Sequence, residues 1–103
     1  MQHRLSGEIS PEHPALPGHF PGNPIVPGVL LLGRVAQAVR SIFGSEIIAV
    51  PAVKFHVPLR PAERFEIELY RAEDDIVKFR VARGKTLIAS GSLRLKLPIE
   101  ANL

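Results

Sequence analysis

His19 is the residue with the clearest capacity for chemistry. It stands in the stretch Gly18-His19-Phe20-Pro21-Gly22-Asn23-Pro24-Ile25-Val26-Pro27-Gly28-Val29. Removing a proton next to a carbonyl needs a base that titrates near the operating pH, and imidazole, at about 6.5, starts there. Pro21, Pro24 and Pro27 fix φ near about −65° and remove backbone donors, while Gly22 and Gly28 allow backbone approaches that a Cβ would forbid. Such a loop holds His19 in one place. Pro27 suits a first helical turn, and Gly28 then leaves an unpaired N–H at the positive end of the helix dipole. That N–H is a place for a carbonyl oxygen or an anion.

The helix that positions these groups is expected to run from residue 27 to about 43 and to stop at Gly44. At about 100° per residue, Leu31, Leu32, Val35, Ala36, Ala38, Val39, Ile42 and Phe43 fill one broad arc. Gly33, Arg34, Gln37, Arg40 and Ser41 fill the complementary arc, with Leu30 as the apolar exception. An arc this wide points to a helix enclosed by a sheet, whose polar face must then meet something specific. Upstream, residues 2–10 read as a short strand with Leu5 and Ile9 among its few apolar members, and Pro11, Pro14 and Pro17 stiffen the approach to His19.

Downstream, residues 46–55 read as a strand in which Pro51 marks a bulge or edge position, and residues 58–61 turn the chain. From residue 63 onward the period is two: Phe65, Ile67 and Leu69, then Val77, Phe79 and Val81, then Leu93, Leu95 and Leu97 alternate with charged residues. These are half-buried antiparallel strands. Residues 72–75 and 83–85 are short enough for hairpins, and the outward carboxylates and cations then face each other across strands.

The 103 residues imply one domain, 1–103, small enough that a further buried interface would help it, so an oligomer is expected. No cysteine is present, which excludes disulfides, thiolate nucleophiles and Cys-ligated metals. His3, His13 and His56 lack partners at metal-ligand spacing and read as structural or exposed, so no metal or cofactor is expected. The net charge of +3 is spread along the chain without basic-aromatic interleaving, which argues against nucleic acid. No apolar run approaches the ~20 residues of a membrane span and no signal-peptide pattern opens the chain, so a cytoplasmic protein is the default.

A strand, a buried helix, then four or more antiparallel strands define an α+β chain whose single sheet wraps one long helix, the hotdog arrangement. The stretch from Gly18 to Val29 closely resembles the G-H-F-P-G-x-P-I-x-P-G-V signature of the bacterial 3-hydroxyacyl-acyl-carrier-protein dehydratases. Residues 53–65 are similar to the same family's K-x-x-F-x-x-P-v-x-P-G-D-x-L segment, with Ala62-Glu63 where Gly-Asp is usual. The family's first strand and its L-P-H-R-Y-P-F-type opening have no counterpart, so this is a short version of the fold.

The resemblance implies a homodimer with tunnels at its interface, and loss of water from a 3-hydroxyacyl thioester carried on acyl-carrier protein or CoA, in fatty-acid or polyketide metabolism. On the matching positions it makes His19 the catalytic histidine, Gly28 the backbone N–H that polarises the thioester carbonyl, and Gln37 the glutamine that follows the acid by four. Phe20, Pro21, Gly22, Val29 and Arg34 are the further substrate-binding residues. The family's acid, supplied across the dimer interface, falls at Gly33. Either something needs the space there, or the acid role has been lost or moved. Arg34, Arg40 and Arg60 are candidate cations for an acidic carrier protein or its phosphopantetheine arm. Three readings stand open: a dehydratase-like hydro-lyase with an altered acid, a binding subunit completed by an active homologue in a heterodimer, and a hotdog thioesterase.

Overall fold

Alternating apolar and charged residues put one side chain in and the next out, so each downstream segment offers the core a single face. The computed structural model describes residues 2–14, 16 and 25–97. In chain order these form β1 (Gln2–Gly7), α1 (Gly28–Phe43), β2 (Ile47–Phe55), β3 (Phe65–Arg71), β4 (Ile76–Arg83) and β5 (Thr86–Leu95). The strands make one antiparallel sheet in the order β1-β3-β4-β5-β2. The connections at residues 72–75 and 84–85 are the expected hairpins, with Gly84 supplying a positive φ of 59° at the second.

The inward residues of β3, β4 and β5 are those the alternation marks. Phe65, Ile67, Leu69, Val77, Phe79, Val81, Leu93 and Leu95 are buried together with Leu31, Val35, Ala38, Val39 and Phe43 of α1. Outward charges pair across strands: Arg4 Nη2 donates to Glu68 Oε2 at 2.9 Å, and Arg94 meets Asp75 at 3.2 Å. The carboxylate holds the Arg4 guanidinium above its ordinary range, through the hydrogen bond first and nearby negative charge second. His3 sits edge-on to Phe43, with ring centroids 5.5 Å apart, in the structural role expected for it.

Three local expectations change. The first strand ends at Gly7 rather than at residue 10, and beyond it the chain turns through bonds from His13 N to Ser10 O and from Leu16 N to His13 O, each 3.0 Å. Pro27 is the N-cap, with extended φ −61° and ψ 143°, rather than the first helical residue. The helix is not enclosed: five strands curve over one side of it, leaving Val29 78% exposed and Gly33, Gln37 and Arg40 open to solvent. Its C-terminus is as expected, with Gly44 in the left-handed region at φ 62° and its N–H bonded to Arg40 O.

Pro51 lies where both of its expected roles meet. β2 is an edge strand, and its register against β5 shifts between Ile47 and Ala49 and again between Ala49 and Ala52.

Candidate functional site

The helix N-terminus is assembled from three segments. Val26 N donates to Leu59 O at 2.8 Å, so the extended segment entering α1 is tied to the turn that follows β2. Pro27 O then accepts from Leu30 N and Leu31 N, at 3.0 and 3.3 Å, which closes the first turn. Pro27 has no side chain to cap the helix and the first turn carries no acid. Among the described residues nothing caps the N–H groups at this end, which carry the positive potential of the helix start.

Phe55, at the end of β2, lies against Gly28. A Cβ on Gly28 would come 2.6 Å from the tip of that ring, so glycine is what allows the ring to approach the helix start. Beside it runs an apolar groove of about 340 Å³ lined by Ile25, Val26, Leu31, Phe55, Val57 and Leu59, with Gly28 and His56 at its edge. His56 Nε2 lies 2.9 Å from Ser90 Oγ, which orients its ring. A helix start with uncapped N–H groups beside an apolar groove is suited to a polarised carbonyl attached to an aliphatic chain.

A second depression, of about 380 Å³, lies along the open face of α1 and is lined by His13, Val29, Leu30, Gly33, Arg34 and Gln37. Among the described residues nothing lies within 4 Å of where a Gly33 side chain would begin. No neighbour among the described residues crowds the Gly33 position. Arg34 turns away toward β1, its Nη2 donating to Glu8 O at 3.4 Å. Gln37 is exposed.

The helix brings Val29, Gly33, Arg34 and Gln37 to one hollow, while Gly28 lies on another side of it, against Phe55 and the apolar groove. His19, Phe20, Pro21 and Gly22 lie outside the described residues. Two of the three candidate cations are elsewhere. Arg40 sits about 18 Å along the axis from Gly28, at a rise of 1.5 Å per residue, and pairs with Glu46 at 3.3 Å. Arg60 belongs to the turn, where its backbone N–H donates to Glu63 Oε1 at 2.7 Å. Phe55 and His13 are the additions. Phe55 belongs to the segment 53–65, where its sequence signal is its apolar type at the end of β2, and the sequence around His13 carries no signal beyond the histidine itself.

A sequence model of a dehydratase family described as ApeI-like matches residues 1–92. Among curated proteins, a 3-hydroxyacyl-[acyl-carrier-protein] dehydratase FabZ of a Caulobacter species is 32% identical over 85 residues, covering 70% of this chain and 52% of that protein. The FabZ of Aliarcobacter butzleri is 37% identical over 75 residues, covering 59% and 51% respectively. The chain spans about half the length of the curated relatives it matches. Among solved structures, the dehydratase heterocomplex ApeI:P from Xenorhabdus doucetiae superimposes with a TM-score of 0.80 at 22% identity, covering 91% of this chain and 86% of that one.

Proposed function

Because the chain belongs to the ApeI-like dehydratase family, we propose that it is a hydro-lyase acting on 3-hydroxyacyl thioesters carried on acyl-carrier protein or CoA. The observation that carries this reading is the helix start: uncapped N–H groups at Gly28 beside an apolar groove closed by Phe55. The thioester carbonyl accepts from the Gly28 N–H, which favours the negative charge that builds on oxygen as the α-proton leaves. His19 takes that proton. The acyl chain lies along Ile25, Val26, Leu31 and Leu59, where each buried methylene contributes about 0.8 kcal/mol. Water leaves from the β-carbon and an enoyl thioester remains.

A second reading, a binding subunit completed by a homologue, is favoured by the empty position at Gly33 and the open face of α1. The heterocomplex named for the Xenorhabdus structure makes such pairing a concrete case to test.

The deciding assay follows enoyl formation and free thiol together, using 3-hydroxyacyl thioesters of both carriers and the purified chain. Enoyl formation that His19→Ala abolishes is the expected result. Thiol release without enoyl formation would replace the reading with a thioesterase. Substrate binding without turnover, with turnover appearing only on mixing with a homologue, would replace it with the partner subunit.

A further inference from the structure

We infer that Arg83 and Glu63 form a latch on the turn after β2, and that this latch sets how tightly the groove beside the helix start holds an acyl chain. This rests on the dehydratase reading above only in taking that groove as an acyl site. Val57, Pro58 and Leu59 of the turn line the groove together with Ile25, Val26 and Leu31.

The turn runs between the end of β2 at Phe55 and the start of β3 at Phe65, so it belongs to no strand. Pro58 and Pro61 bring no N–H, which leaves it few backbone bonds of its own. His56 N holds its upstream end on Ile88 O at 2.7 Å, and Val26 N holds Leu59 O. The remaining anchors come from two side chains. Arg83 Nη1, at the end of β4, donates to Pro58 O at 3.3 Å and to Glu63 Oε1 at 2.9 Å. Glu63 Oε1 also accepts the Arg60 N–H at 2.7 Å. Leu59 stands between the two backbone groups held in this way, 1% exposed and facing the groove.

The Arg83 and Glu63 side chains keep 31% and 33% of their surface in water, and ion pairs this exposed add little to global stability. What the pair fixes is local. A gap of about 0.5–1 Å already forfeits a quarter to a half of a dispersion contact, so a small shift of an otherwise weakly tied backbone loosens Val57 and Leu59 against an aliphatic chain. Releasing the latch therefore costs acyl affinity before it costs the fold. Neither side chain lines the groove, so both are positioning residues that act through the backbone of Pro58 and Arg60.

The test uses the full chain with butanoyl-CoA and decanoyl-CoA, reading affinity by titration calorimetry and stability by thermal unfolding. Arg83→Met and Glu63→Ala are each expected to weaken decanoyl-CoA binding about tenfold, roughly the worth of two methylenes out of contact, with butanoyl-CoA affinity and unfolding temperature retained. The double variant is expected to bind no worse than either single one, because both break the same latch. Arg83→Lys and Glu63→Gln, which keep a donor and an acceptor, are expected to stay within about threefold of the native chain. Decanoyl-CoA affinity within about threefold of native in both Arg83→Met and Glu63→Ala would overturn the proposal. So would an equal loss for both chain lengths accompanied by a lower unfolding temperature, and so would a native chain that binds neither ligand. If decanoyl-CoA binding falls as expected but the native chain forms no enoyl product from 3-hydroxydecanoyl-CoA, the dehydratase reading falls and the latch stands. If the native chain forms that product and KM is unchanged in both variants, the dehydratase reading stands and the latch falls.

Discussion

At the residue scale, Ala62 carries the plainest mismatch between side chain and backbone. Its φ of 68° lies in the left-handed region, where an L-residue with a Cβ costs roughly 1–2 kcal/mol. The turn holds it there: Ala62 N bonds Ile9 O, and Glu63 takes the Arg60 N–H and meets Arg83 at 2.9 Å. Glycine removes the strain but loses about 0.5–1 kcal/mol more entropy on folding, so Ala62→Gly is expected to stabilise by up to about 1 kcal/mol. Urea unfolding measures this, and a loss of stability would show that the turn is not strained at this residue. Gly28 gives the opposite sign. Gly28→Ala puts a methyl 2.6 Å from the Phe55 ring, and overpacking of this kind costs about 1–3 kcal/mol. Phe55→Leu in the same chain is expected to recover part of that stability, because it removes the ring tip that the methyl meets. An additive double mutant would disprove the contact.

The helix illustrates how an element is both legible and incomplete. Its buried residues, Leu31, Val35, Ala38, Val39 and Phe43, all belong to the apolar arc read from the sequence, and its stop at Gly44 is where the glycine placed it. What the arc did not convey was how far the sheet reaches around it. Gly33 stands on the uncovered side with open space above, so no packing contact among the described residues requires a glycine there. Gly33→Ala is accordingly expected to stabilise the helix by about 1 kcal/mol, the usual difference between the two residues in a helix interior. A destabilising result in chemical denaturation would mean that something packs onto this face in solution.

For the whole molecule, β2 is the exposed flank. It is an edge strand whose Ile48, Val50, Val53 and Phe55 all keep more than two-fifths of their surface in water, with Ile48 at 61%. Unpaired strand edges bearing apolar side chains recruit another chain. The chain is therefore expected to sediment at micromolar concentration as a dimer or larger species, alone or with a homologous partner. Val53→Lys is expected to shift it toward monomer, because a charge on that edge would have to be buried. A native chain that is monomeric across this range, with no partner added, would move the assembly wholly to the heterologous case.

The strand alternation, the apolar arc of α1 and the glycine stops were determined by the sequence alone. They rest on backbone dihedrals and on hydrophobic periods that repeat within a few residues, and neighbouring residues suffice to encode them. The resemblance of residues 18–29 to a dehydratase signature is likewise carried by neighbouring residues, and its His19 lies outside the described residues. Only the tertiary structure decided that β2 is the edge beside β5, that Phe55 closes on Gly28, and that His13 and Gly33 line one depression. Each of these joins segments far apart in the chain. Their meeting depends on strand order and on how one five-stranded sheet curves past one helix, and a two-residue alternation is equally compatible with several such orders.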